Sequence, residues 1–153
     1  MHPLIAITRR TPMHGSATNH EQQMIEAHPR GAAFDETALH ACMHACLECA
    51  ATCNTCADAC SVEDDPKLLV RCIRLNNDCA DLCAATARII GRQSEPSMAV
   101  VQAAVDACAR VCLECAEECD RHAAHMAHCR ICAEACRACA EACKRLFARK
   151  VKA

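Results

Sequence analysis

Six cysteines, Cys42, Cys46, Cys49, Cys53, Cys56 and Cys60, follow one another at steps of 4, 3, 4, 3 and 4 residues. At 3.6 residues per helical turn this spacing gathers all six thiols on one stripe of a helix. The stripe recurs at Cys108, Cys112, Cys115 and Cys119 and again at Cys129, Cys132, Cys136, Cys139 and Cys143, with a sparser version through Cys72, Cys79 and Cys83. Deprotonated, each thiol is a nucleophile and a soft metal ligand. Catalytic thiols need access to solvent and a base or helix N-terminus that lowers their pKa. These thiols instead occupy mid-helix seam positions where Leu or Ile would normally sit. The stripes therefore predict a buried column of sulfur and no enzyme.

Cysteine packs as a small hydrophobe, which accounts for one or two in a core but not for eighteen. A seam of Cys and Ala buries less apolar surface than one of Leu and Ile, and two Phe with no Trp or Tyr do not compensate. Such a core is chosen for its sulfur. Soft thiolates select Cu(I), Zn(II) or iron–sulfur clusters, and charge separates these candidates. A zinc tetrathiolate carries two net negative charges, so a core filled with zinc would strand uncompensated charge in a dry interior. Cu(I) with one thiolate per metal is neutral and accepts two or three sulfur ligands. Iron–sulfur clusters need four thiols converging on one compact site, which a continuous ladder does not offer. The residues point to multiple Cu(I) ions per chain, roughly one per cysteine. A thiol redox buffer working through CxxC disulfides, or sequestration of zinc or another soft metal, is the alternative.

The elements that must carry the stripes follow from composition and breakers. A length of 153 residues suits one domain, and a net charge of −2, with 17 basic and 19 acidic side chains, leaves no basic footprint for nucleic acid. Cysteine-rich secreted scaffolds are rich in loops, whereas this chain has 3 Gly and 5 Pro amid long Ala-rich runs. The pair Arg9–Arg10 is followed by Thr-Pro-Met-His-Gly-Ser with no apolar stretch of signal-peptide length. A cytoplasmic location is expected, where thiols stay reduced. Charged residues interrupt every apolar run, so no membrane span is expected.

Residues 1–32 read as an N-terminal arm, with a short helix over 19–27 stopped by Pro29, and residues 33–149 as a Cys-rich bundle. Its helices are expected at about 35–61, 65–91, 95–122 and 126–148. Asp35 caps the first, Asp64 or Asp65 caps the second ahead of Pro66, Gly91 ends it, and Ser94 or Glu95 opens the third ahead of Pro96. Spacing alone leaves one boundary open. The stripe continues from Cys119 through His122 and Met126 to Cys129, consistent with one helix over 96–148. The short step from Cys129 to Cys132 and the better closure of four similar helices favour a turn at 121–128. The fold class is all-α, an antiparallel four-helix bundle with a Cys-lined core.

The ladders, in Cys-Met-His-Ala-Cys-Leu-Glu-Cys-Ala-Ala-Thr-Cys-Asn-Thr-Cys and Cys-Arg-Ile-Cys-Ala-Glu-Ala-Cys-Arg-Ala-Cys, resemble those of the bacterial four-helix-bundle copper storage proteins in their cytosolic form. The likeness covers about residues 33–149. It implies storage and detoxification of Cu(I) by thiolates inside the bundle, assembly as a homotetramer, and the turn near residue 125. The donor expected for such a store is a copper chaperone or a small-molecule thiol complex. Asn76 departs from the pattern, taking a stripe position between Cys72 and Cys79, so one rung there is expected to lack a thiol.

In an antiparallel bundle the stripes end differently at the two poles. One pole collects Leu39, Ile90, Val101, Val105 and Leu146, an apolar plug; the other collects Cys60, Cys119, His122, His125, Met126, His128 and Cys129. Imidazole and thioether are neutral ligands, so His122, His125 and Met126, which extend the sulfur stripe, join the thiols as metal ligands of a mouth. The plainer alternative makes His122, His125 and His128 polar residues of a solvated turn. His40, Met43 and His44 flank Cys42 off the stripe, and the arm's His2, Met13, His14, His20, Met24 and His28 read as incidental.

Overall fold

A computed structural model describes residues 19–148. The first part of the arm, including His2, Met13 and His14, lies outside the described residues. Among the described residues all regular elements are helical: a short α1 (His20–Glu26) and four long helices, α2 (Glu36–Ser61), α3 (Val70–Ile90), α4 (Met98–Asp120) and α5 (Ala127–Ala148). A single 3₁₀ turn, Pro66–Leu69, leads into α3. α2 packs against α3 and α5, and α4 closes the ring against the same two helices. Short connections make successive helices antiparallel. The chain is thus an antiparallel four-helix bundle, with α1 laid against α2.

Side chains at the helix ends set the boundaries. Asp35 accepts from the Ala38 N–H at 3.0 Å and starts α2, and Asn19 does the same for α1 from Gln22 at 3.2 Å. Asp65 makes no cap bond, and the chain passes through the 3₁₀ turn before α3 begins at Val70. The third long helix begins at Met98 rather than near residue 95, because Glu95 holds φ at 50°, a left-handed value that a continuing helix does not accept. Gln93, buried in that connection, accepts from the Ala33 N–H at 2.7 Å and donates to the Ile90 carbonyl. It ties the segment before α2 to the α3–α4 turn.

Residues 121–125 form turns between α4 and α5, so a single helix over 96–148 is excluded. At the pole where α2 begins, Leu39, Ile90, Val101, Val105 and Leu146 are buried, and Phe34 and Phe147 meet edge to face with centroids 5.8 Å apart. Between this plug and the α4–α5 turn, the inward faces of the four helices are almost entirely sulfur.

Candidate metal centre

Every cysteine is free and buried, and Cys56 alone among them retains any surface, at 2%. Sulfurs on facing helices stand 3.4 Å (Cys53 to Cys136) to 4.0 Å (Cys56 to Cys129) apart. That is far beyond a disulfide bond of about 2.05 Å. Around a soft ion with metal–sulfur bonds of about 2.3 Å, sulfurs sit about 3.8 Å apart in a tetrahedron and about 4.0 Å apart in a trigonal plane. Many facing pairs in the core lie within a few tenths of an ångström of those spacings, and each group of four lies within 4.8 Å. Ligation therefore requires loss of thiol protons and side-chain shifts of up to about 1 Å.

The thiols form tetrads that share members. Cys46, Cys108, Cys139 and Cys143 converge within 4.8 Å, as do Cys49, Cys83, Cys112 and Cys139; Cys49, Cys53, Cys79 and Cys136; and Cys53, Cys115, Cys132 and Cys136. Cys139 links the first pair of tetrads, Cys49 the second, and Cys53 with Cys136 the third. Cys42 joins the plug-side end of this series through Cys143 at 3.9 Å, and beyond the other end Cys72 lies 3.7 Å from Cys119 and 3.9 Å from Cys60. An ion can therefore pass from tetrad to tetrad by exchanging one sulfur at a time.

Asn76 stands where the helix α3 stripe lacks a thiol, fully buried. Its amide nitrogen donates to the Cys72 carbonyl at 2.9 Å and to the sulfurs of Cys72 and Cys119 at 3.4 and 3.6 Å. Its oxygen accepts from Cys132 at 2.9 Å and Cys115 at 3.5 Å. The rung expected to lack a thiol is instead a bridge orienting four of them, and its Oδ1 is a neutral donor inside the sulfur column.

At the other pole the structure selects His128. Its Nδ1 lies 3.5 Å from the sulfurs of Cys56 and Cys129 and 3.9 Å from that of Cys60, and these four residues form a further metal-sized group. Its Nε2 faces Glu63 Oε1 at 2.8 Å. A carboxylate on Nε2 keeps the ring proton there and leaves the Nδ1 lone pair turned to the thiols. A surface depression of about 340 Å³ between α2 and α5, lined by Thr52, Thr55, Cys56, His128 and Ile131 among others, opens onto this group. Position 128 also stands four residues before Cys132, at seam spacing, a signal that its place beside Cys129 in the first turn of α5 obscured.

The three mouth residues singled out in the sequence are placed differently from one another. His122 is half-buried, with Nε2 3.4 Å from Oε1 of the buried Glu118, which also pairs with Arg71 at 3.1 Å. Met126 is half-buried and packed against the cysteine core. His125 is exposed in the turn. None of the three belongs to the Cys56–Cys60–His128–Cys129 group.

Burial pushes the Cys129 thiol up to about 12, with Cys60 and Cys119 adding to the shift. Cys112 and Cys136 are raised as well, first by the neighbouring thiols Cys108 and Cys115 respectively and then by burial. Their neighbours Cys49 and Cys132 are lowered instead, first by hydrogen bonds with Cys112 and Cys115 respectively, so protons are shared unevenly along the column, and a metal ion binding to the raised thiols displaces protons.

The pattern of residues 35–148 matches the copper storage protein family. The chain belongs to this family. It is 43% identical to the copper storage protein Ccsp of Streptomyces lividans, in a structure loaded with 10 copper equivalents, with a TM-score of 0.82 over 84% of this chain and 98% of that one. Another structure of a Streptomyces lividans protein, described as cytosolic and carrying five coppers, is 46% identical over 74% of this chain and 95% of that one, with a TM-score of 0.73. The Cu(I)-bound copper storage protein BsCsp3 is 35% identical, covers 71% of this chain and 97% of its own, and has a TM-score of 0.63. The uncharacterized cysteine-rich protein YhjQ of Bacillus subtilis is 39% identical over 95 residues, 62% of this chain and 82% of that protein. The family match begins at residue 35, so α1 lies outside it. Among the described residues no helix is long and apolar enough to cross a membrane.

Proposed function

We propose that the chain stores Cu(I) in the cytosol and thereby limits the free cuprous ion, holding many ions on the thiolates of the eighteen cysteines. The observation that carries this reading is the series of shared tetrads: separate sites would suit a structural metal, whereas sites with common ligands suit a filling reservoir. Each thiol that binds Cu(I) loses a proton, so every added positive charge is matched by one negative charge and the dry core stays neutral. Thiols buried away from solvent also support a binding role over a catalytic one. The cytosolic assignment follows the description given for the Streptomyces protein.

Copper reaches the core at the pole of the α4–α5 turn. The depression at Cys56 and His128 is the doorway, His122 and Met126 are neutral way stations at the same pole, and His125 stands exposed beyond them. An ion bound there keeps its charge, and passing inward it trades a neutral ligand for a thiolate. A copper chaperone or a small-molecule thiol complex supplies the ion, residues 33–149 act as the storage unit, and the chain assembles as a homotetramer.

Anaerobic titration of the reduced chain with Cu(I) against a chromophoric competitor tests the reading. Roughly eighteen ions per chain are expected, with one or two more where His and Met side chains take part. About one proton should be released for each thiolate formed. Saturation at about four ions or fewer overturns storage in favour of a structural site.

A further inference from the structure

Outside the sulfur column, two imidazoles of α2 and a carboxylate of α1 converge where α1 lies against the bundle. His40 and His44 are one helical turn apart on α2, with ring centroids separated by 6.0 Å. His44 Nδ1 stands 3.3 Å from Oε1 of Glu21 on α1. His40 Nε2 meets the amide nitrogen of Asn19 at 2.9 Å, and its Nδ1 is the one buried side-chain nitrogen or oxygen among the described residues without a hydrogen-bond partner. Because Asn19 Oδ1 is occupied as the α1 cap, its amide nitrogen is the group that faces His40 and donates to Nε2. The ring proton then sits on the orphaned Nδ1. This half-buried imidazole therefore has a single hydrogen bond, with Asn19, and a covered Nδ1–H that is unpaired.

The surroundings favour a cation. Neither α1 nor α2 contains a Lys or Arg. A cavity of about 210 Å³ beside His40 is lined by Glu26 and Glu36, together with Gln22 and Thr37, so carboxylates stand on both sides of the imidazole pair. Two imidazoles at i, i+4 on one helix face are the arrangement by which helices chelate borderline divalent ions, and a carboxylate supplies the third ligand. The set is nitrogen and oxygen, unlike the thiolates inside. It suits Zn(II), Ni(II) or Cu(II) and is a poor match for Cu(I).

We propose that His40, His44 and Glu21 form a second metal site, specific for a borderline divalent cation, which pins α1 to the bundle independently of the cuprous store. The ion takes Nε2 of His40, displacing the Asn19 amide and leaving Nδ1–H as it is, together with one nitrogen of His44 and an oxygen from Glu21. His40 and His44 shed no proton, since neutral imidazole is the ligand. The site bridges two elements, so its occupancy decides how firmly α1 is held.

Ni(II) is the probe, because it is redox-inert here and broadens nearby amide resonances. The ¹⁵N-labelled full chain, its thiols first saturated with Cu(I) so that they do not compete, is titrated with Ni(II) beside the variants H40A/H44A, H44A and E21Q. In the wild type a single ion should broaden amides of residues 20–24 and 40–45 and slow hydrogen exchange in α1. H40A/H44A should lose this localised effect, and E21Q should weaken binding by about tenfold or more. His44 is exposed, so H44A keeps the fold and serves if the double variant does not. The proposal is overturned if wild-type broadening is absent from these residues, or if it persists unchanged in H44A. The comparison is a difference between chains, so failure of the core to load copper leaves it readable: thiol binding is then common to all variants and cancels.

Discussion

At the pole where α2 begins, the helix seams run out into Leu39, Ile90, Val101, Val105 and Leu146, while at the opposite pole they run into Cys60, Cys129 and His128, backed by Glu63. The same four helices build both. At the first pole the buried side chains are mostly large aliphatics that exclude water, the Met43 thioether beside Gly91 being an exception; at the second they are small, polarizable or basic, and a depression reaches the one thiol with surface. Cysteine buries less apolar area than leucine, so the sulfur column contributes less to folding than its length suggests. The plug supplies stability, and in the proposed function the open pole supplies access. Division of labour along one bundle axis lets a core be chosen for its chemistry.

The largest expected effect lies in the plug. Leu39 is fully buried there, and Leu39→Ala should destabilise the reduced apo protein by about 2–5 kcal/mol, read from urea unfolding followed by circular dichroism. Copper capacity should stay near the wild-type value, because no thiol is touched. If capacity falls in step with stability, the two poles are not separable and the comparison fails.

Asn76→Ala comes next. Removing the amide frees four thiols from their orienting hydrogen bonds and leaves a small cavity, for an expected loss of about 1–3 kcal/mol in the apo state. Loading should recover part of it, since bound metal fixes the thiols that Asn76 otherwise holds. An apo stability equal to wild type would show that thiol–amide bonding contributes nothing to this core.

His128→Ala should leave folding little changed but slow copper transfer from a thiol-complexed donor by about tenfold, equivalent to about 1.4 kcal/mol of barrier. Glu63→Gln keeps an oxygen that accepts from Nε2–H and should retain most of the rate, while Glu63→Ala should not. Stopped-flow absorbance of the forming copper thiolate measures both. Equal rates in all four chains would move the doorway away from the depression.

The helical periods made the bundle legible, because eighteen cysteines at seam spacing leave few other arrangements, and the plug could be listed residue by residue before any coordinates. The turn between α4 and α5 was less legible: His122 and Met126 continue the stripe, and nothing short of tertiary packing separates a turn from a straight helix there. Asn76 was visible as a gap, but its role as a bridge depends on sulfurs from α4 and α5 whose positions no local pattern contains. His128 was visible as a turn residue. What distinguishes it from His125 is Glu63, 65 residues away in another connection, and that contact exists only once the helices are assembled.

The smallest effects, and the sharpest separation, are expected among His122, His125 and Met126. Sequence spacing treats them as equivalent ligands of the mouth, and the triple Ala variant should slow loading while leaving capacity nearly unchanged. The structure divides them. Met126 packs on the core, His122 is half-buried against Glu118, and His125 is exposed. Met126→Ala should therefore account for most of the slowing and His122→Ala for a smaller part, since its Nε2 must first leave Glu118. His125→Ala should load at the wild-type rate, because a neutral ligand held in solvent offers an incoming ion little that the donor or water does not. If His125→Ala alone reproduces the triple variant, ions enter over the tip of the α4–α5 turn and not through the depression at Cys56, and the contrast between the two poles would rest on that turn instead of on His128.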